Sequence, residues 1–251
     1  MRHYSYLLLI IIFMLPCTGA SAKDDNKSEH ILNHVDDLFR GNSSHGTFTM
    51  KVTTSHYTRE MAMEAWTMGK DFSLIRIHEP QKEKGTATLK AQNNIWNYLP
   101  KVRRVIKIPS SMMGGSWMGS HFTNDDLIKE NRMADDFTNS ISFKGARDGT
   151  DIIELTLIPK PEAAVVWGKI LVVVRAGDWI PLYMDYYDED MSKTRTMTFS
   201  DIKMFDDRAL PAALRIIPAD KPGEYTEIIY KDIRFNIDLD EGFFTLRNLK
   251  R

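Results

Sequence analysis

The stretch Trp96-Asn97-Tyr98-Leu99-Pro100-Lys101-Val102-Arg103-Arg104-Val105-Ile106-Lys107-Ile108-Pro109 alternates well enough to read as a strand, with breaks at Pro100 and Pro109. It runs into Ser110-Ser111-Met112-Met113-Gly114-Gly115-Ser116-Trp117-Met118-Gly119-Ser120-His121-Phe122, a loop rich in Met, Gly and Trp. Thr123-Asn124-Asp125-Asp126-Leu127-Ile128-Lys129-Glu130 follows and reads as a helix start. Thr123 is placed to cap, Asp126 stands three residues on, and the first turn is acidic. Loops are ordinarily small and polar. One this apolar folds onto a core or touches an apolar partner, and methionine suits the second role because its unbranched chain adapts to irregular shapes. Two readings of Met112, Met113, Trp117, Met118 and Phe122 therefore stand together: a loop packed as core, and a lid over a cavity.

Outward from this stretch the chain is a succession of strands with short turns. Thr47 to Thr54 places Phe48, Met50 and Val52 on one side. Arg59 to Met68 places Met61, Met63, Ala65 and Thr67 on one side and Ala62, Glu64, Trp66 and Met68 on the other. Asp148-Gly149 marks a hairpin between Phe137–Lys144 and Asp151–Ile158. Later strands run over Trp167–Arg175, Pro181–Tyr187, Arg195–Phe205, Leu210–Pro218 and Glu224–Ile237. Helices are expected only at the start and in the middle. The first reads as Ser28 to Phe39, capped by Ser28, with Ile31, Val35, Leu38 and Phe39 on one face and Gly41 after its end.

This order is a meander, so the expected fold is mainly β (α+β): a curled antiparallel sheet of roughly ten strands. Several strands are apolar on both faces, as in Ile170-Leu171-Val172-Val173-Val174. A curled sheet with few helices to cover it tends to leave an apolar cavity, which points to a lipid-like ligand. Trp66, Trp96, Tyr98, Met112, Met113, Trp117, Met118 and Phe122 are the expected residues of cavity and lid.

Met1 to Ala22 reads as an export signal: Arg2 and His3, an apolar run from Leu7 to Leu15, and the small-x-small site Ala20-Ser21-Ala22. The run is shorter than the ~20 residues a bilayer requires. Pro16 precedes Cys17 where a lipidated cysteine wants a small neighbour, so plain cleavage after Ala22 is expected. That leaves a mature chain, residues 23–251, with no cysteine and no disulfide, held by one core in one domain. A net charge of −1 argues against nucleic acid or an anionic surface as the main partner.

No catalytic pattern is present: no nucleophile elbow, no phosphate-cradling glycine loop, no zinc spacing. His30 and His34 are four apart on a helix, yet no third ligand stands near, and a solvated polar face is expected. Asp185, Asp188, Glu189 and Asp190 crowd one turn without fitting a calcium loop. Neither metal nor cofactor is expected. Lys101, Arg103, Arg104 and Lys107 form a basic patch, read either as ordinary strand charges or as a rim that meets acidic partners or lipid headgroups.

At these residues the sequence resembles the LolA-like family of outer-membrane lipoprotein-sorting proteins. The words that carry it are Tyr98-Leu99-Pro100-Lys101, Arg104-Val105-Ile106-Lys107-Ile108, Ser111-Met112-Met113, Gly115-Ser116-Trp117-Met118-Gly119-Ser120 and Phe122-Thr123-Asn124-Asp125-Asp126-Leu127. Met63-Glu64-Ala65-Trp66, Lys84-Gly85-Thr86-Ala87, Tyr186-Tyr187-Asp188-Glu189-Asp190, Phe199-Ser200-Asp201-Ile202 and Phe244-Thr245-Leu246-Arg247-Asn248-Leu249 extend it over nearly all the mature chain. Met191 departs from the pattern, standing where glycine is expected. The resemblance implies a strongly curved open half-barrel, with the first helix and the central helix and loop plugging its concave face. It implies a periplasmic, monomeric carrier that takes up acyl chains of a lipid or lipoprotein between inner and outer membrane. A proton-driven exporter of the inner membrane is the implied donor. The alternative is an envelope sensor on the same scaffold with a protein partner. An enzyme and an outer-membrane barrel fit less well.

Overall fold

The computed structural model describes residues 21–129, 133–163 and 165–251. Apart from Ser21 and Ala22, the expected export signal lies outside them. Among the described residues, no helix is long and apolar enough to cross a membrane.

Thirteen antiparallel strands make one curved, unclosed sheet. They are β1 (Ser43–Thr53), β2 (Thr58–Met68), β3 (Phe72–Glu79), β4 (Ala87–Ala91), β5 (Asn94–Leu99), β6 (Arg104–Lys107), β7 (Phe137–Arg147), β8 (Thr150–Pro159), β9 (Lys169–Arg175), β10 (Pro181–Tyr187), β11 (Lys193–Phe205), β12 (Arg208–Pro218) and β13 (Tyr225–Phe235). Their spatial order is β6-β5-β4-β3-β2-β1-β13-β12-β11-β10-β9-β8-β7. The chain thus begins in the middle, steps outward to the β6 edge, transfers to the β7 edge, and steps back until β13 pairs with β1. Residues 108–136 make the transfer and so run from one edge of the sheet to the other. They carry α2 (Asn124–Lys129) and α3 (Met133–Asp136); α1 (Ser21–Asp37) precedes the sheet and α4 (Leu246–Leu249) follows it.

The sheet exceeds the expected ten or so strands chiefly at β6. Pro100 opens a short 3-10 turn and Arg103 adopts left-handed backbone (φ 51°), so the chain reverses and Leu99 pairs with Arg104. What reads as one interrupted strand is a hairpin. The first helix also starts earlier than expected, at Ser21, because residues 21–27 contain no Gly or Pro to stop it. Ser28 lies inside the helix, fully buried, and does not cap it.

Other local readings hold. Asp148 (φ 51°) and Gly149 (φ 78°) form the β7–β8 turn. Thr123 Oγ1 accepts from Asp126 N at 3.1 Å while Asp126 Oδ2 accepts from Thr123 N at 2.7 Å, a reciprocal capping box that starts α2. The 188–192 turn keeps a left-handed residue with Met191 in the glycine place (φ 60°).

Alternation along the strands builds two apolar layers. On the inner face α1 packs Ile31, Leu32 and Val35 against Leu155 and Leu157 of β8, Ile170, Val172 and Val174 of β9, and Met184 of β10. The transfer segment packs Ile108, Trp117 and Leu127 against Phe48, Met50, Met61, Met63, Ile77 and Ile95 of β1, β2, β3 and β5. On the outer face Phe244 and Leu249 cover Leu74, Ala87 and Leu89. β4 is therefore buried from both sides.

Candidate functional site

Between α1 and the transfer segment, the inner face leaves a cavity of about 210 Å³. Its wall includes Val35 and Phe39 of α1, Trp117, Phe122 and Leu127 of the transfer segment, and side chains from β1 to β3 and β9 to β13. It straddles the β1–β13 pairing and belongs to both halves of the sheet.

The transfer segment closes one side of this cavity and is held by polar contacts at three places. Trp117 Nε1 donates to Thr88 Oγ1 of β4 at 3.0 Å. Near the tip, Tyr57 Oη donates to Gly119 O and Arg59 Nη2 to Met118 O, both at 2.8 Å. His121 N donates to Thr226 Oγ1 at 2.9 Å, and His121 Nε2 lies 3.2 Å from Glu224 Oε2. The Glu224 carboxyl is pulled down to about 2, first by the Ser55 N–H and then by His121. The third place is inside the wall. Arg195 of β11 grips Asp126 with both ends of its fork, Nη1 to Oδ2 at 2.8 Å and Nη2 to Oδ1 at 2.7 Å.

That Arg195–Asp126 pair is the electrostatic centre of the cavity. Arg195 is 6 % exposed, and its guanidinium lies 4.5 Å from the Trp167 ring centre and 4.3 Å from that of Tyr186. Burial alone would lift the Asp126 carboxyl, but the charge and hydrogen bonds of Arg195 outweigh it and hold it below the usual carboxylate range. Both partners are ionised at neutral pH. Replacing such a pair by apolar residues of like shape is often neutral or stabilising, so the pair does not account for fold stability by itself.

A second buried carboxyl, Asp36 of α1, is 1 % exposed and receives Ala134 N of α3 at 3.3 Å. Burial pushes it up from 3.8 to about 7.

Comparison with known proteins places this architecture. A family model described as "Uncharacterized protein" matches residues 69–251. An outer membrane lipoprotein-sorting protein domain from Vibrio parahaemolyticus is similar at 24% identity and TM-score 0.78, over 90% of this chain and 100% of that one. A DUF1329 family protein from Desulfovibrio piger is similar at 21% identity and TM-score 0.80, over 90% and 99%. The chain belongs to the family which that model describes, and it shares its fold with these two proteins. A LolA superfamily protein from Nitrosomonas europaea shares the fold at 20% identity and TM-score 0.75, over 88% of this chain and 98% of that one. No curated protein matched the sequence.

The residues expected to line the cavity divide into three groups. Trp117 and Phe122 are in its wall. Met113 and Met118 pack beside Trp117 in the layer next to it, and Met112 is 55% exposed. Trp66, Trp96 and Tyr98 are on the outer face, packed with Phe244 and Leu249, and do not reach the cavity. For Trp66 the reason is strand parity. Its neighbours Ala65 and Thr67 point into the cavity wall, so Trp66 points away. Lys101, Arg103, Arg104 and Lys107 are exposed on the β5–β6 hairpin, and Lys107 Nζ lies 5.7 Å from the Trp96 ring centre. Exposed Val102 and Ile106 interleave with them. His30 and His34 are exposed, and no metal-binding group of three ligands occurs among the described residues.

Arg195, Trp167 and Tyr186 are among the wall residues not expected from the sequence. One signal for Arg195 was available. Arg195, Met197 and Phe199 share a strand face, which sets a cation on an apolar stripe.

Proposed function

We propose that this LolA-like protein is a non-catalytic, monomeric carrier of the periplasm, which buries acyl chains of a lipid or lipoprotein against the inner sheet face and moves them between the membranes. The observation that carries this reading is the largely apolar cavity that straddles both halves of the sheet under a cover held by packing and by several side-chain hydrogen bonds. Each buried methylene contributes ~0.8 kcal/mol, so a long acyl chain is held without polar contacts. At about 210 Å³ the cavity is smaller than the ~300–1,000 Å³ usual for ligand pockets, so cargo enters as the transfer segment yields. Met112, Met113 and Met118 give that segment the adaptable surface such a movement needs.

The basic hairpin formed by Lys101, Arg103, Arg104 and Lys107 is the rim that meets anionic headgroups or the acidic surface of a donor, for which a proton-driven inner-membrane exporter fits. Native mass spectrometry of the protein after mild extraction tests the reading. We expect a stoichiometric apolar adduct that leaves on delipidation. Protein that never carries one overturns the proposal.

A further inference from the structure

We infer that Arg195 is the docking point for an anionic head group, a carboxylate or phosphate, on the acyl-chain ligand, and that Asp126 fills this point as an internal stand-in while the cavity is closed. The inference rests on the carrier reading and adds a ligand class to it.

Three observations carry it. First, Arg195 is a buried cation in the wall of a largely apolar cavity, and its Nε finds no hydrogen-bond partner among the described residues. Second, its fork presents two parallel donors in the geometry that matches a carboxylate or phosphate edge, and the Trp167 and Tyr186 rings hold that fork in place. Third, the carboxylate now in the fork comes from α2, within the segment that covers the cavity. Strand β11 supplies the cation and the cover supplies the anion. When the cover withdraws, Asp125 and Asp126 leave together on α2, and a buried guanidinium is left without its counter-charge. A neutral acyl chain cannot satisfy it, whereas an anionic head group can. Of the remaining charged wall residues, Arg40 is a second cation and Asp136 lies on α3. Loading is thus an exchange of one carboxylate-like partner for another, and the cost of opening falls on ligands without a negative charge.

Displacement of a fluorescent fatty-acid probe from the delipidated full chain tests this, with palmitate, 1-palmitoyl-lysophosphatidate and neutral hexadecanol as competitors. At least one anionic competitor is expected to bind about tenfold to a hundredfold tighter than hexadecanol, the range of a buried hydrogen bond to charge. The tighter of the two tells carboxylate from phosphate. Arg195→Gln collapses the ratio toward one. Asp126→Asn removes the competing charge and tightens the anionic competitors, a gain that misfolding cannot produce. Equal affinity for charged and neutral competitors in the unaltered chain overturns the inference and leaves the carrier reading standing. So does an Arg195→Gln protein that keeps the preference, or an Asp126→Asn protein with unchanged or weaker anion binding. Failure of all three competitors and the probe to bind removes the carrier reading as well.

Discussion

The strands β3 to β5 carry two coverings, one on each face, and they differ in kind. The outer covering is the C-terminal segment. Phe243 and Phe244 contact Trp66 and Phe72 with ring centres 5.5 Å apart in each pair, and Leu249 is fully buried beneath them. The inner covering is the transfer segment, where Ile108, Trp117 and Leu127 are buried against the sheet and polar contacts to Thr88, Tyr57, Arg59, Thr226 and Arg195 add to the grip. One side is closed by interlocking rings, which lose contact energy as soon as they separate. The other combines apolar packing with several hydrogen bonds, which water or a ligand replaces at modest net cost. The cavity described above lies under the second. The contrast teaches which covering is built to stay and which is suited to release.

Truncating the outer covering is expected to have the largest effect. Phe244→Ala opens a void in a filled aromatic layer and costs about 3–5 kcal/mol of unfolding free energy, read by urea denaturation, with acyl-chain binding retained by the protein that remains folded. An equal loss of binding would erase the distinction between the two faces.

Next is Asp36→Asn, on the inner side where α1 meets α3. Burial holds the Asp36 value near 7 in the folded chain against an ordinary 3.8, so the folded chain binds more protons between those values. Stability through this group therefore falls as pH rises across that window and is recovered on acidification. The asparagine variant is expected to be more stable than the unaltered chain at pH 8 by a few kcal/mol and to show no gain at pH 4. Thermal melts at the two pH values measure it, and a variant destabilised at pH 8 contradicts the assignment.

The smallest effect sharpens the comparison most. Trp117→Phe keeps a ring in the inner covering but removes the donor to Thr88. It is expected to cost about 1–2 kcal/mol and to speed ligand entry, measured by stopped-flow uptake of a fluorescent fatty acid. Slower entry would show that the indole holds the path open and not shut.

Much of this was readable in the residues. Thr123 with Asp126 announces the start of α2, and Asp148-Gly149 announces its turn, because both are local chemistry. The parity of β2 was readable too: Trp66 falls opposite Met61, Met63 and Ala65. Which parity faces inward was not, because the C-terminal segment makes the outer face apolar as well, and β4 is buried on both sides. Trp66, Trp96 and Tyr98 were drawn to the wrong face for that reason. The Arg195–Asp126 grip joins residues far apart in the chain, and no spacing rule foretells such a meeting. Arg195 on an apolar stripe said only that some partner was needed.

The order of the strands bears on how the molecule comes into being. Each half, β1 to β6 and β7 to β13, is a run of neighbouring hairpins that assemble from nearby residues. Their union waits for Ser44 to find Phe235 and Val52 to find Thr226, encounters between distant parts of the chain that are slow to occur. Because the pocket spans that seam, it exists only once both halves are joined. Until that seam forms, the chain has two greasy half-sheets and no hollow between them.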